Sequence, residues 1–143
     1  MMTHNNGHFN TAVGASSNNT GGGHNNTSLG YNSMGGGSGG NSVAIGYHAL
    51  AAASGGDNVA VGSYAAEDQT STNTVAVGMS AMKDHTGSNN TAVGHYALTT
   101  AGAGAANTAV GKDALRLATT GGYNVAIGYN ALDANTTGTT NIC

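Results

Sequence analysis

Apolar side chains return along this chain in one short burst. A β-branched or hydroxylated residue, a small residue and a second branched residue are followed at once by glycine. The burst reads Val59-Ala60-Val61-Gly62 at its clearest, and its glycines are Gly14, Gly30, Gly46, Gly62, Gly78, Gly94, Gly111 and Gly128. The spacing is 16 residues five times and then 17 twice. Side chains of a strand alternate between its faces. Each burst is therefore a strand that is apolar on both sides, with one side restricted to a small residue. A fixed period of this length predicts an all-β solenoid of parallel rungs, each rung one strand plus its return.

The columns of the repeat refine that picture. The small strand position holds Ala12, Ala44, Ala60, Ala76, Ala92, Ala109 and Ala126, with Ser28 as the exception and Cys143 in the same phase. Such a column implies a close neighbour on that side. The branched positions, Val43, Ile45, Val59, Val61, Val75, Val77, Val93, Val110, Val125 and Ile127, are expected to fill the interior of the roll. Three residues past each glycine comes a second small position, such as Ala49 or Ala97. The larger residue after it, Leu50, Leu98, Leu115 or Leu132, should close the core from the return segment. An asparagine column precedes the strands (Asn10, Asn26, Asn58, Asn90, Asn107, Asn124) and suits a ladder of hydrogen bonds between rungs. The sequons at Asn18, Asn89 and Asn135 are expected by chance in so Asn- and Thr-rich a chain.

A rung holds only about three side chains larger than alanine. At roughly 1.5–3 kcal/mol for each, they face ~1–2 kcal/mol of backbone entropy per residue. The alanine face therefore needs a cover. Self-association is the simplest one, and a threefold bundle would place three alanine columns around one axis, with Cys143 of each copy converging there.

Composition narrows the setting. There are 25 glycines, no proline, and only three Lys and Arg against six Asp and Glu. All nine charges fall between Asp57 and Asp133. Nucleic-acid binding needs clustered cations, and an anionic membrane surface would too. No stretch is long or apolar enough for membrane insertion, and no signal peptide is visible. Residues 1–40 read as degenerate Gly/Asn-rich rungs or a cap, and 41–143 as the regular repeats of one continuous solenoid. The repeat breaks off at Cys143 within the next phrase.

Asn124-Val125-Ala126-Ile127-Gly128-Tyr129-Asn130-Ala131-Leu132 and Asn90-Thr91-Ala92-Val93-Gly94-His95-Tyr96-Ala97-Leu98 resemble the head repeats of trimeric autotransporter adhesins, the YadA-like heads. They are also similar to repeats of phage tail fibres. The resemblance covers roughly residues 10–143. It implies a left-handed parallel β-roll that forms a homotrimer, with Val and Ile filling each roll and Ala facing the trimer interior. Ser17-Asn18 and Ser33-Met34 depart from the usual Ala-Leu pair.

Candidate chemistry is sparse. No His/Asp/Ser arrangement recurs at a fixed rung position, so catalysis is not expected, and no cofactor is implied. His8 and His24 lie 16 apart and should stack, with His4 nearby, which makes them metal-ligand candidates. Later rungs put Gly40, Gly56, Thr72 and Ser88 at that place, which favours exposed turn residues over a metal site. Lys112-Asp113 reads as a solvated pair on an outer turn. Tyr31, Tyr47, Tyr64, Tyr96 and Tyr129 follow the glycines and could stack on sugar rings. The sequence thus points to a structural and adhesive fibre module of a tail fibre or surface adhesin, extracellular or on a virion, contacting a glycan or receptor multivalently. The rival readings are a filament subunit stacking end to end and an ice-binding solenoid, the latter less favoured because the Thr column is interrupted and belongs to the strand face expected to be buried.

Overall fold

In the computed structural model, residues 7–19, 23–36, 39–52, 54–100 and 102–143 are described. They form a β-solenoid with eight three-residue strands, β1 Thr11–Val13, β2 Thr27–Leu29, β3 Val43–Ile45, β4 Val59–Val61, β5 Val75–Val77, β6 Thr91–Val93, β7 Thr108–Val110 and β8 Val125–Ile127. The strands make one parallel sheet in chain order. Each repeat lies on the next in phase, as in Ala44 against Ala60 and Ala60 against Ala76. β1 and β2 join the sheet in the same register, so the degenerate rungs belong to the same coil. Beyond β8, Ile142 bridges Val125 and Cys143 lies level with Ala126.

The chain closes each rung through left-handed backbone at fixed places. Residues two and four past the glycine, such as His48 and Leu50, have φ of 56° and 51°. The N–H of the first donates to the rung before, and that of the second to the rung after: His48 to Tyr31 O, Leu50 to Ala65 O. Reversal of this kind keeps every turn hydrogen-bonded along the stack. The phrase glycine is required twice over. Gly78 has φ +133°, and a Cβ there would lie 2.6 Å from the carbonyl oxygen of Gly94. The asparagine column forms the ladder. Asn107 Oδ1 accepts from the Asn124 N–H at 3.0 Å, and its Nδ2 donates to Gly121 O at 3.0 Å.

The sidedness of the strands reverses the sequence expectation. Ala44, Ala60, Ala76, Ala92, Ala109 and Ala126 are fully buried inside the coil of a single chain, and Ala12 is half-buried. They pack in one cluster with Ala49, Ala65, Ala97, Leu50, Met82, Leu98 and Leu115, while Leu132 packs against its edge. Val43, Val61, Val75, Val77, Val110 and Val125 are only half-buried, and Ile45, Val59, Val93 and Ile127 are exposed, Ile127 at 62%. The branched residues therefore do not fill the roll; they form its outer sheet face. The cause is the narrowness of the coil. The alanine side of each strand meets the chain's own return segment, and Leu or Met from that segment leaves room only for a methyl group. The close neighbour that alanine demanded is internal, so the Ala column does not serve as an intermolecular surface. With it goes the geometric basis for Cys143 thiols meeting on a shared axis, since Cys143 continues that inner column.

The first rungs compensate their missing alanines with hydroxyls. Ser17 Oγ lies 2.6 Å from Ser28 Oγ and 3.1 Å from Ser33 Oγ, all three residues buried. Paired hydroxyls replace apolar contact without an unsatisfied group. Polar side chains also enter the coil at one later corner, where Gln69 and His85 occupy equivalent places seven past their glycines. Gln69 Nε2 donates to Ser71 Oγ and to Thr74 Oγ1. His85 Nε2 donates to Gly104 O at 2.7 Å, and burial pushes the imidazole pKa below its ordinary value.

Candidate functional site

Counting from the phrase glycine separates inward from outward residues after each strand. Places +3 and +4 supply the core alanines and leucines. Places +1, +2 and +5 form an outer strip along the stack. The +1 column includes Tyr31, Tyr47, His95, Lys112 and Tyr129; the +2 column His48, Tyr64, Tyr96 and Asp113; the +5 column Glu67, Lys83, Thr99, Arg116 and Asp133. Five of the six tyrosines and all three cations of the chain thus share one edge of the coil.

Along the middle rungs this strip is an aromatic ladder. The rings of Tyr31 and Tyr47 stack at 5.5 Å, Tyr47 and His48 at 4.4 Å, and Tyr64 meets Tyr47 edge-on at 5.2 Å. Glu67 holds the ladder from below, its Oε1 2.9 Å from His48 Nδ1 and its Oε2 3.5 Å from Lys83 Nζ. Hydrogen bonding with Tyr64, its largest influence, raises the Tyr47 phenol above its ordinary pKa. Lys83 Nζ also lies 5.8 Å from the Tyr64 ring centroid.

Two open slots interrupt the strip and share Tyr96. The smaller, about 270 Å³, lies among Tyr64, Met79, Lys83 and Tyr96. The larger, about 470 Å³, spans the rungs from Tyr96 to Tyr129 and is lined between them by Thr99, Lys112, Asp113, Arg116 and Asp133. Asp113 is buried beneath the slot and binds both cations: Lys112 Nζ directly, and Arg116 Nε at 3.7 Å from Oδ1. The Lys112–Asp113 pair is therefore a half-buried part of the wall, not a freely solvated one. Contact with Asp113 raises the Lys112 pKa, and its ammonium sits 5.1 Å from the Tyr129 ring centroid. The His95 ring packs tilted against that of Tyr96, their centroids 4.1 Å apart.

Of the five tyrosines singled out from sequence, Tyr31, Tyr47 and Tyr64 belong to the ladder, while Tyr96 and Tyr129 face the large slot. Thr99, Asp113, Arg116 and Asp133 escaped sequence reasoning as slot residues. Laying the rungs in register at +2 and +5 is the signal that finds them. His8 and His24 stack at 5.3 Å on adjacent rungs, but His24 Nδ1 already accepts the His8 backbone N–H at 2.9 Å. His4 lies outside the described residues. Among the described residues no three His, Cys, Asp or Glu side chains stand together to hold a metal ion, and no helix is long and apolar enough to cross a membrane. Comparison with protein-family models, curated proteins and solved structures finds no match to this chain.

Proposed function

We propose that the chain is a structural and adhesive fibre module, of tail-fibre or surface-adhesin type, acting outside the cell or on a virion. One observation carries this reading: from Tyr31 to Asp133, five tyrosines and all three cations fall on one outer strip, at the strand spacing of about 4.8 Å. A receptor site repeated at that spacing acts by geometry and multivalency, not by turnover. The coil would be left-handed, as its resemblance to YadA-like heads implies, and would work as a homotrimer. Its association surface would be the outer sheet face, where Val13 and Ile127 are exposed at 54% and 62%. Between those ends the outward Val and Ile make a continuous row of half-buried and exposed apolar residues, and contiguous apolar faces are found where partners bind. The strip would then remain free for a glycan or receptor.

Electron microscopy of the purified chain, with binding of the particles to candidate host cells, tests the proposal. Discrete short trimers that bind cells are expected. Long unbranched filaments without cell binding would instead support the end-to-end filament subunit. The outward strand column also gives an ice-binding reading a foothold, because Thr11, Thr27, Thr91 and Thr108 lie on the outer face. Valine takes the other four places in that column. A thermal-hysteresis assay showing no ice-growth inhibition is the expected result.

A further inference from the structure

We infer that the large slot between Tyr96 and Tyr129 binds a neutral pyranose, a hexose unit of a surface glycan; this rests on the adhesive reading above and names its ligand. The volume of about 470 Å³ falls within the roughly 300–1,000 Å³ of small-molecule sites. Its lining has the mixture a sugar needs, flat aromatic rings beside polar groups of both kinds. Tyr96 is the stacking platform, since contact with the His95 ring at 4.1 Å already restrains it. A side chain ordered before binding loses less freedom when a ligand arrives. Tyr129 lies two rungs further along, about 10 Å at strand spacing, and its exposure of 71% leaves ring surface open despite Lys112.

Charge decides against an acidic sugar. Lys112 and Arg116 are balanced by Asp113 and Asp133, so the slot has no net charge at neutral pH. Both cations already pair with Asp113, whose carboxylate offsets much of the attraction they would offer a ligand carboxylate. Asp133 has no ion-pair partner among the described residues. Its carboxylate can accept from two neighbouring hydroxyls, a strong charge-assisted contact that an anionic ligand would turn into repulsion. Lys112 and Arg116 retain N–H groups to donate to sugar oxygens.

The test is a printed array of glycans ending in galactose, glucose or mannose beside others ending in sialic or glucuronic acid. Titration with the methyl glycoside of the best binder follows. Tyr96→Asn, a residue this column already tolerates at Asn32 and Asn130, and Asp133→Asn are each expected to weaken binding at least about tenfold. Both should melt like the unmodified protein, and Tyr123→Ser, away from the strip, should bind normally. Binding confined to acidic glycans, or hexose binding that survives both substitutions, would overturn the proposal. Cell attachment without any glycan binding would remove the slot assignment and leave the adhesive module standing. Failure to bind glycans and cells alike would remove both.

Discussion

The strand side of each rung and the turn after its glycine follow opposite rules. On the strand side alanine between two β-branched residues recurs from β3 to β8, and alanine is fully buried at every one of those levels. On the turn, places +1, +2 and +5 change from tyrosine to histidine, lysine or aspartate between neighbouring rungs. Repetition is enforced where side chains and backbone of adjacent rungs touch. Variation is allowed where residues reach water, and there the chemistry collects. Two substitutions of similar size should therefore have very different consequences on the two sides.

The largest contrast is expected at the phrase glycine. Gly78→Val would place a Cβ within 2.6 Å of a backbone oxygen at a φ of +133°. Backbone strain alone costs about 1–3 kcal/mol, and the clash adds to it, so circular dichroism should show loss of the folded state at room temperature. A smaller loss is expected from Asn107→Ala. It removes the acceptor of the buried Asn124 N–H and the donor to Gly121 O, at about 1–3 kcal/mol for a stranded buried group. Denaturant unfolding measures it. If that variant were as stable as the parent, the ladder would not be a strut of the inner side.

Acidification probes His85, the one fully buried imidazole among the described residues. Burial lowers the folded pKa of His85 below the ordinary 6.5, so the unfolded chain takes up the proton first. Stability is complete above about pH 6.5 and declines as pH falls through the folded value, by at most about 1.4 kcal/mol per pH unit. Thermal melts at pH 7.5 and 5.5 should show this decline, and His85→Gln, the residue at the same place one rung earlier, should flatten it. The smallest effect belongs to the strip. Tyr64→Ser should change stability by within about 0.5 kcal/mol, and a larger loss would mean that the aromatic ladder supports the coil.

The period and the parallel register were legible in the sequence because they depend on one glycine per rung and on strand alternation. Which strand face turns inward was not. Alanine and valine are both apolar, and the pattern alone does not tell whether the small residue meets another copy or the chain's own return. Left-handed backbone at residues such as His48 and Leu50 decides it by folding the rung sharply back on itself. The tyrosines could be noticed singly, whereas Asp113, Arg116 and Asp133 come together only when two rungs are stacked. Their spacing along the chain, 3 and 17 residues, gives no local motif.

Alanine faces into the coil and the branched residues face out, and the proposed homotrimer forms through that outer face. Sedimentation equilibrium of the parent and of a Val61→Thr/Val77→Thr/Val93→Thr variant tests both halves together. A trimeric parent is predicted, with a variant that keeps the parent's circular dichroism but has the mass of a single chain. A monomeric parent, or a variant that unfolds because its new hydroxyls are buried, would contradict the assignment.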